Sequence, residues 1–159
     1  MRKNAIIDSS GNYRYLLSRI WEPALPKLLY IMLNPSKANE TNEDKTSEQC
    51  LYFARKFNFG SFEIVNLYGL ISTNPKNLKK SLIDPIGDKN DYFILEASFR
   101  ADKIIVGWGS KYFFNNRNII VTEILKKNGY KLFCFGKTIH GHPRHLSRLK
   151  HNITGIIEY

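Results

Sequence analysis

Cysteine is nearly missing: Cys50 and Cys134 are the only two among 159 residues. They stand alone, without the paired spacing of a zinc knuckle or the framework of a disulfide scaffold, and read as reduced core thiols. No apolar run approaches the roughly 18 residues that cross a membrane. The start, Met1-Arg2-Lys3-Asn4-Ala5-Ile6-Ile7, is basic with a three-residue apolar run, too short for a signal-peptide core, so a soluble, cytoplasmic protein without a membrane partner is expected. Repeats, linkers and low-complexity tracts are also missing. One domain over 1–159 is expected, long enough to bury roughly two thirds of the surface that the unfolded chain would expose.

Negative charge is scarce at one end. From Ile124 to Ile157 there is no acidic residue, while Lys126, Lys127, Lys131, Lys137, Arg144, Arg148, Lys150 and every histidine of the protein lie there. The net charge of +10 favours a polyanionic partner, DNA or a nucleotide, because clustered Lys and Arg release counterions condensed on phosphate. A solvated basic surface would carry the same charge.

Short apolar runs at Leu28–Leu33, Phe62–Leu67, Lys103–Val106 and Tyr130–Phe135, bounded by Pro, Gly or Asn, read as buried strands. Between them Thr46–Phe57, Asp91–Arg100 and Asn116–Asn128 space their apolar residues at three and four, as helices do. This alternation predicts an α/β fold: a three-layer sandwich with a mostly parallel central sheet. Ala5–Ile7 and Tyr13–Ile20, around Ser9-Ser10-Gly11-Asn12, read as an N-terminal β-hairpin appended at one edge. Open α/β sheets bind ligands outside the carboxyl ends of their strands. The loops to inspect are therefore Asn34-Pro35-Ser36, Asn66-Leu67-Tyr68, Gly107-Trp108-Gly109-Ser110 and the stretch from Gly136 to Arg148.

Each loop has chemistry to offer. Asn34 follows a strand and precedes Pro35, so its amide is expected to face the crevice; a plain Asx turn has the same spacing. Asn66 ends an apolar strand, where its amide could meet a base edge or satisfy a neighbouring loop. His145, or else His142, could donate to negative charge on a base or phosphate, with Arg144, Arg148 and Lys137 near in sequence. A metal site from His140, His142 and His145 lacks any Cys or nearby carboxylate, so no metal and no cofactor is expected. Trp108 could stack on a base beside the free amides of Gly109 and Ser110, or be ordinary core; the Lys and spacing of a P-loop are missing. Asp44 reads first as a helix cap and second as the nearest carboxylate for acid–base work. Tyr13, Arg14, Arg19 and Trp21 read as a basic-aromatic strip able to line a nucleic-acid groove, or as the exposed side of an edge strand.

Two resemblances add to this. Ile31-Met32-Leu33-Asn34-Pro35-Ser36, Ile64-Val65-Asn66-Leu67, Ile104-Ile105-Val106-Gly107-Trp108-Gly109 and the run through His142-Pro143 to His145-Leu146-Ser147-Arg148 resemble, in order and residue type, the loops of the uracil-DNA glycosylase superfamily. That likeness implies a uracil-DNA-glycosylase-like fold. It also implies nucleobase or nucleotide recognition in nucleic acid and an N-glycosidic hydrolase, although the carboxylate expected after the first strand is missing. Taken with the reading of the loops, the expected site has Asn34, His145 and Asp44 catalytic and Asn66, Pro35, Ser36, Tyr68, Trp108, Gly109 and His142 around the base. Arg144, Arg148, Lys137 and Arg14 would hold phosphate. Over nearly the whole chain, Tyr13-Arg14-Tyr15, Met32-Leu33-Asn34-Pro35-Ser36, Val65-Asn66-Leu67, Asp84-Pro85-Ile86-Gly87, Trp108-Gly109 and Pro143-Arg144-His145 are similar to the domain of unknown function 1643 family of bacterial and phage proteins. That family's pattern has Pro after the final His, where this chain has Leu146. Two other classes stay open: a non-catalytic nucleic-acid-binding or phage-encoded interaction module, and an enzyme acting on a free nucleotide or small phosphorylated metabolite.

Overall fold

The computed structural model describes residues 1–159. Seven strands form one mixed sheet: β1 (Arg2–Ile7), β2 (Arg14–Ile20), β3 (Lys27–Met32), β4 (Ser61–Asn66), β5 (Lys103–Val106), β6 (Phe133–Cys134) and β7 (Ile157–Glu158). Three helices cover it: α1 (Lys45–Lys56), α2 (Asn90–Arg100) and α3 (Arg117–Lys127). No helix is long and apolar enough to cross a membrane.

The strand order is β1-β2-β4-β3-β5-β6-β7. The four inner strands β4, β3, β5 and β6 run parallel, whereas β1, β2 and β7 pair antiparallel. The sheet is therefore not mostly parallel. The N-terminal pair is also no appendage: β1 is the edge, but β2 continues the sheet by pairing with β4, and most of its residues are buried. Residues Tyr130–Phe135 give only a two-residue strand, and β7 closes that edge where no strand is expected.

Strand alternation divides the core between the two faces. Leu28, Tyr30 and Met32 of β3 pack with Cys50, Phe53 and Ala54 of α1, while Leu29 and Ile31 pack with Ile94 and Ala97 of α2 and Val121 and Leu125 of α3. Cys50 and Cys134 are free and buried. The chain leaves β3 through α1 toward β4 on one side, then returns through α2 to β5 on the other. The strand order thus reverses at β3, and in such sheets that reversal opens a crevice at the carboxyl ends.

Candidate functional site

Past the end of β3 the chain stays tied to the segment after β4. Leu67 and Tyr68 N–H donate to the carbonyls of Met32 and Leu33, and Ser72 N–H donates to that of Pro35. Asn34 is held in this seam: its Nδ2 donates to the carbonyls of Pro35 at 2.9 Å and Ser72 at 2.8 Å. Both amide hydrogens are thereby used, and Oδ1 is left as an acceptor.

Asn66, the last residue of β4, lies opposite Met32 and is 1% exposed. Asn90 Nδ2 donates to its carbonyl at 2.9 Å, whereas its own side-chain Nδ2 has no partner. Arg14, at the start of β2, is 4% exposed and makes no salt bridge. Its Nη1 donates to the carbonyl of Ala38, but Nε has no partner. Burial pushes the guanidinium down to about 10, opposed chiefly by the charge of Asp44, so it remains cationic at neutral pH. Asp44 is the cap of α1: its oxygens accept from Ser47 N–H at 2.9 Å and Ala38 N–H at 3.2 Å, and Ser47 Oγ accepts from Asp44 N–H in return.

His145 caps the short 3-10 turn Leu146–Arg148. Ser147 N–H donates to its Nδ1 at 3.2 Å. Burial, with the nearby charge of Arg148, pushes the imidazole down to about 4. The ring is therefore neutral at pH 7, and with Nδ1 assigned as acceptor from Ser147 N–H and from the Ser147 hydroxyl at 2.8 Å, the proton is placed on Nε2, a donor without a protein partner. Two close approaches fix the loop that carries it. Gly109 N–H donates to the carbonyl of Pro143 at 3.0 Å, and a Cβ on Gly107 would stand 2.5 Å from Leu146 Cδ1. A side chain at Gly107 would force Leu146 to shift.

These side chains line two neighbouring spaces that share four wall residues. Arg14, Asp44, Ser47 and Asn66 line only an inner recess of about 30 Å³, on the α1 side of the sheet. Asn34, Ser36, Thr46 and His145 line both that recess and an outer cavity of about 510 Å³. Trp108, Gly109, Lys111, Tyr112, Arg144 and Arg148 border only the outer cavity. Residues from all four strand-end loops are thus brought together, while the inner space, at about 30 Å³, is far the smaller of the two.

Other expected site residues lie elsewhere. Tyr68 is core: its hydroxyl donates to the carbonyl of Phe114 and accepts from Phe114 N–H, and its ring stacks on Phe114. His142 packs on Phe113, and Lys137 Nζ lies over the ring of Tyr159, so neither lines the two spaces. Pro35 is buried behind Asn34. Trp108 is 1% exposed, edge-on to Tyr159, and forms wall rather than a stacking platform. The strip from Tyr13 to Trp21 is no open groove, since Arg14 points its charge inward and Arg19, fully buried, holds Glu43 through Nε at 2.7 Å. Nor do His140, His142 and His145 converge as ligands, because no group of three metal-binding side chains comes together anywhere in the fold. Sequence reasoning missed Ser72, Thr73, Lys111 and Tyr112 as cavity walls. They belong to no motif, and only the path of their loops brings them there.

No curated protein and no solved structure matches the chain. A family model described as "Protein of unknown function (DUF1643)" matches residues 14–145, a span that opens on Arg14 and closes on His145. With most of its length matched, the chain belongs to the DUF1643 family.

Proposed function

We propose that the strand-end cleft recognises a nucleotide unit of nucleic acid, in a uracil-DNA-glycosylase-like arrangement. The observation that carries the reading is the convergence of Asn34 and His145, from two distant loops, on the wall shared by a polar recess and a cavity bordered by Lys111, Arg144 and Arg148, a shared wall that we read as the neck between them. At about 510 Å³ the cavity falls in the range of small-ligand sites. Asn34 Oδ1 accepts and His145 Nε2–H donates, so the neck presents both hydrogen-bonding senses to a base edge or sugar. Lys111, Arg144 and Arg148 supply cations for the backbone phosphates.

Cleavage of the N-glycosidic bond is the reaction these groups would serve. Asn34 Oδ1 would hold the attacking water, whose oxygen bonds the sugar carbon as the bond to the base nitrogen breaks; His145 Nε2–H would stabilise charge on the departing base, and the water's proton would end on that base anion. Asp44, with both oxygens engaged by backbone N–H groups, is a poor general base here, so rate would come from leaving-group stabilisation. The test is fluorescence anisotropy on uracil-containing and modified-base oligonucleotides across a salt series, followed by an abasic-site assay. Binding that falls steeply with salt and weakens in His145→Asn supports recognition. Binding without base release from any oligonucleotide removes the hydrolytic half, and no binding to any strand or nucleotide removes the whole reading.

A further inference from the structure

The inner recess holds a cationic group that makes no salt bridge. Arg14 is almost fully buried, has no carboxylate in salt-bridge range, and keeps Nε without a partner. Asn66, equally buried and lining the same space, keeps Nδ2 without a partner. Two buried donors, one of them cationic, are costly to leave unsatisfied and are paired in nearly all folded proteins. Asp44 lines the recess too, but Ser47 N–H and Ala38 N–H take up its oxygens. Thr46, in the first turn of α1, adds a hydroxyl with no hydrogen bond of its own in the fold.

Size decides what could answer these donors. A space of about 30 Å³ is too small for a heterocycle, and a phosphodiester, substituted on two sides, would have to bring two ester arms through the neck. A phosphate monoester brings only one arm and offers three terminal oxygens. Resting on the nucleotide reading above, we propose that the recess receives a terminal phosphate of the ligand, held by Arg14 and the Asn66 amide, with the rest of the nucleotide in the outer cavity. The ligand class is then a nucleoside monophosphate or a phosphorylated strand end, not a nucleotide inside a continuous strand.

The test compares one short oligonucleotide with hydroxyl ends, a 5′-phosphate or a 3′-phosphate, a nucleoside with its monophosphate, and inorganic phosphate in a thermal-shift assay. A terminal phosphate is expected to tighten binding at least about tenfold, the worth of one or two charge-assisted hydrogen bonds. Inorganic phosphate is expected to raise the melting temperature of the wild type. Both effects should vanish in Arg14→Met. Since Arg14 also donates to the Ala38 carbonyl and this variant could fail to fold, Asn66→Asp provides the second reading: it loses no hydrogen bond of that side chain's nitrogen and places a carboxylate on the wall of the recess that Arg14 also lines. That variant should melt at or above the wild type in phosphate-free buffer and ignore added phosphate. The stronger ligand among strand end and free monophosphate names the source of the phosphate. Equal affinity for phosphorylated and hydroxyl-ended ligands, or a wild-type phosphate response in Asn66→Asp, overturns the proposal. If strands bind without regard to their ends, only this inference falls. If inorganic phosphate acts through Arg14 while no nucleotide or strand binds, the recess stands and the nucleotide reading falls.

Discussion

Replacing His145 with Asn should flatten the acid side of the protein's stability profile. In the folded protein burial, aided by Arg148, lowers His145 from 6.5 to about 4, while in the unfolded chain it titrates at the ordinary value. Because the folded pKa is depressed, the unfolded state binds the proton first. No penalty exists above pH 6.5; it grows as pH falls from 6.5 to 4 and levels off below 4. A displacement of that size corresponds to at most about 3–4 kcal/mol, and roughly 2–3 kcal/mol of it is expressed by pH 4.5. Asn at 145 can still accept from Ser147 N–H as the cap of the 3-10 turn, so the fold keeps its hydrogen bond and loses only the titration. Urea denaturation of both proteins at pH 7.5 and 4.5 reads the effect as a difference of differences, in which every other titrating group cancels. The wild type should lose roughly 2–3 kcal/mol more than His145→Asn. Equal losses would refute the neutral, desolvated imidazole on which the donor role depends.

Three further outcomes follow from the same geometry. Gly107→Ala should cost about 1–3 kcal/mol and displace the loop carrying His145, because its Cβ meets Leu146 Cδ1 and Met32 Sδ; thermal melting and nucleotide binding should both fall. Arg19→Ala should cost about 3–5 kcal/mol by denaturation, since the side chain is fully buried and its loss strips Glu43 of its main partner and leaves the Asn39 carbonyl without a donor. Arg144→Ala and Arg148→Ala should each weaken oligonucleotide binding whatever the sequence and lower the salt slope by about one, as the loss of a phosphate contact does.

What the sequence revealed follows the physics of its signals. The three helices were readable from three-and-four spacing over a dozen residues, and Asn34-Pro35 marked a turn because proline forbids the helix that might have followed. Strand direction was not readable. β2 is covered on both faces, so Tyr15, Leu16 and Leu17 form the continuous apolar run of a parallel strand although its partners run antiparallel. The two-residue strands β6 and β7 are too short to show any period.

At the site, the residues at strand ends were legible and their depths were not. Asn66 and His145 stand where the loops implied, yet Asn66 is sunk in the recess, away from the outer cavity where a base would sit. Tyr68 follows Asn66 closely in sequence, but β4 has ended and alternation no longer decides which way a side chain turns; it joins the α2 and α3 side. Arg14 between two tyrosines has the pattern of an exposed strip. Only the burial of β2 between β1 and β4 turns it into an internal cation.

The most direct test of the cleft is a nitrogen-15 NMR titration of the wild type with a nucleoside monophosphate and with a short phosphorylated strand. The account predicts saturable shifts of the His145 Nε2 resonance and the Asn34 and Asn66 side-chain amides, with the α2–α3 face unmoved. Ligand binding that leaves those three groups unperturbed, or shifts confined to exposed lysines, would contradict it.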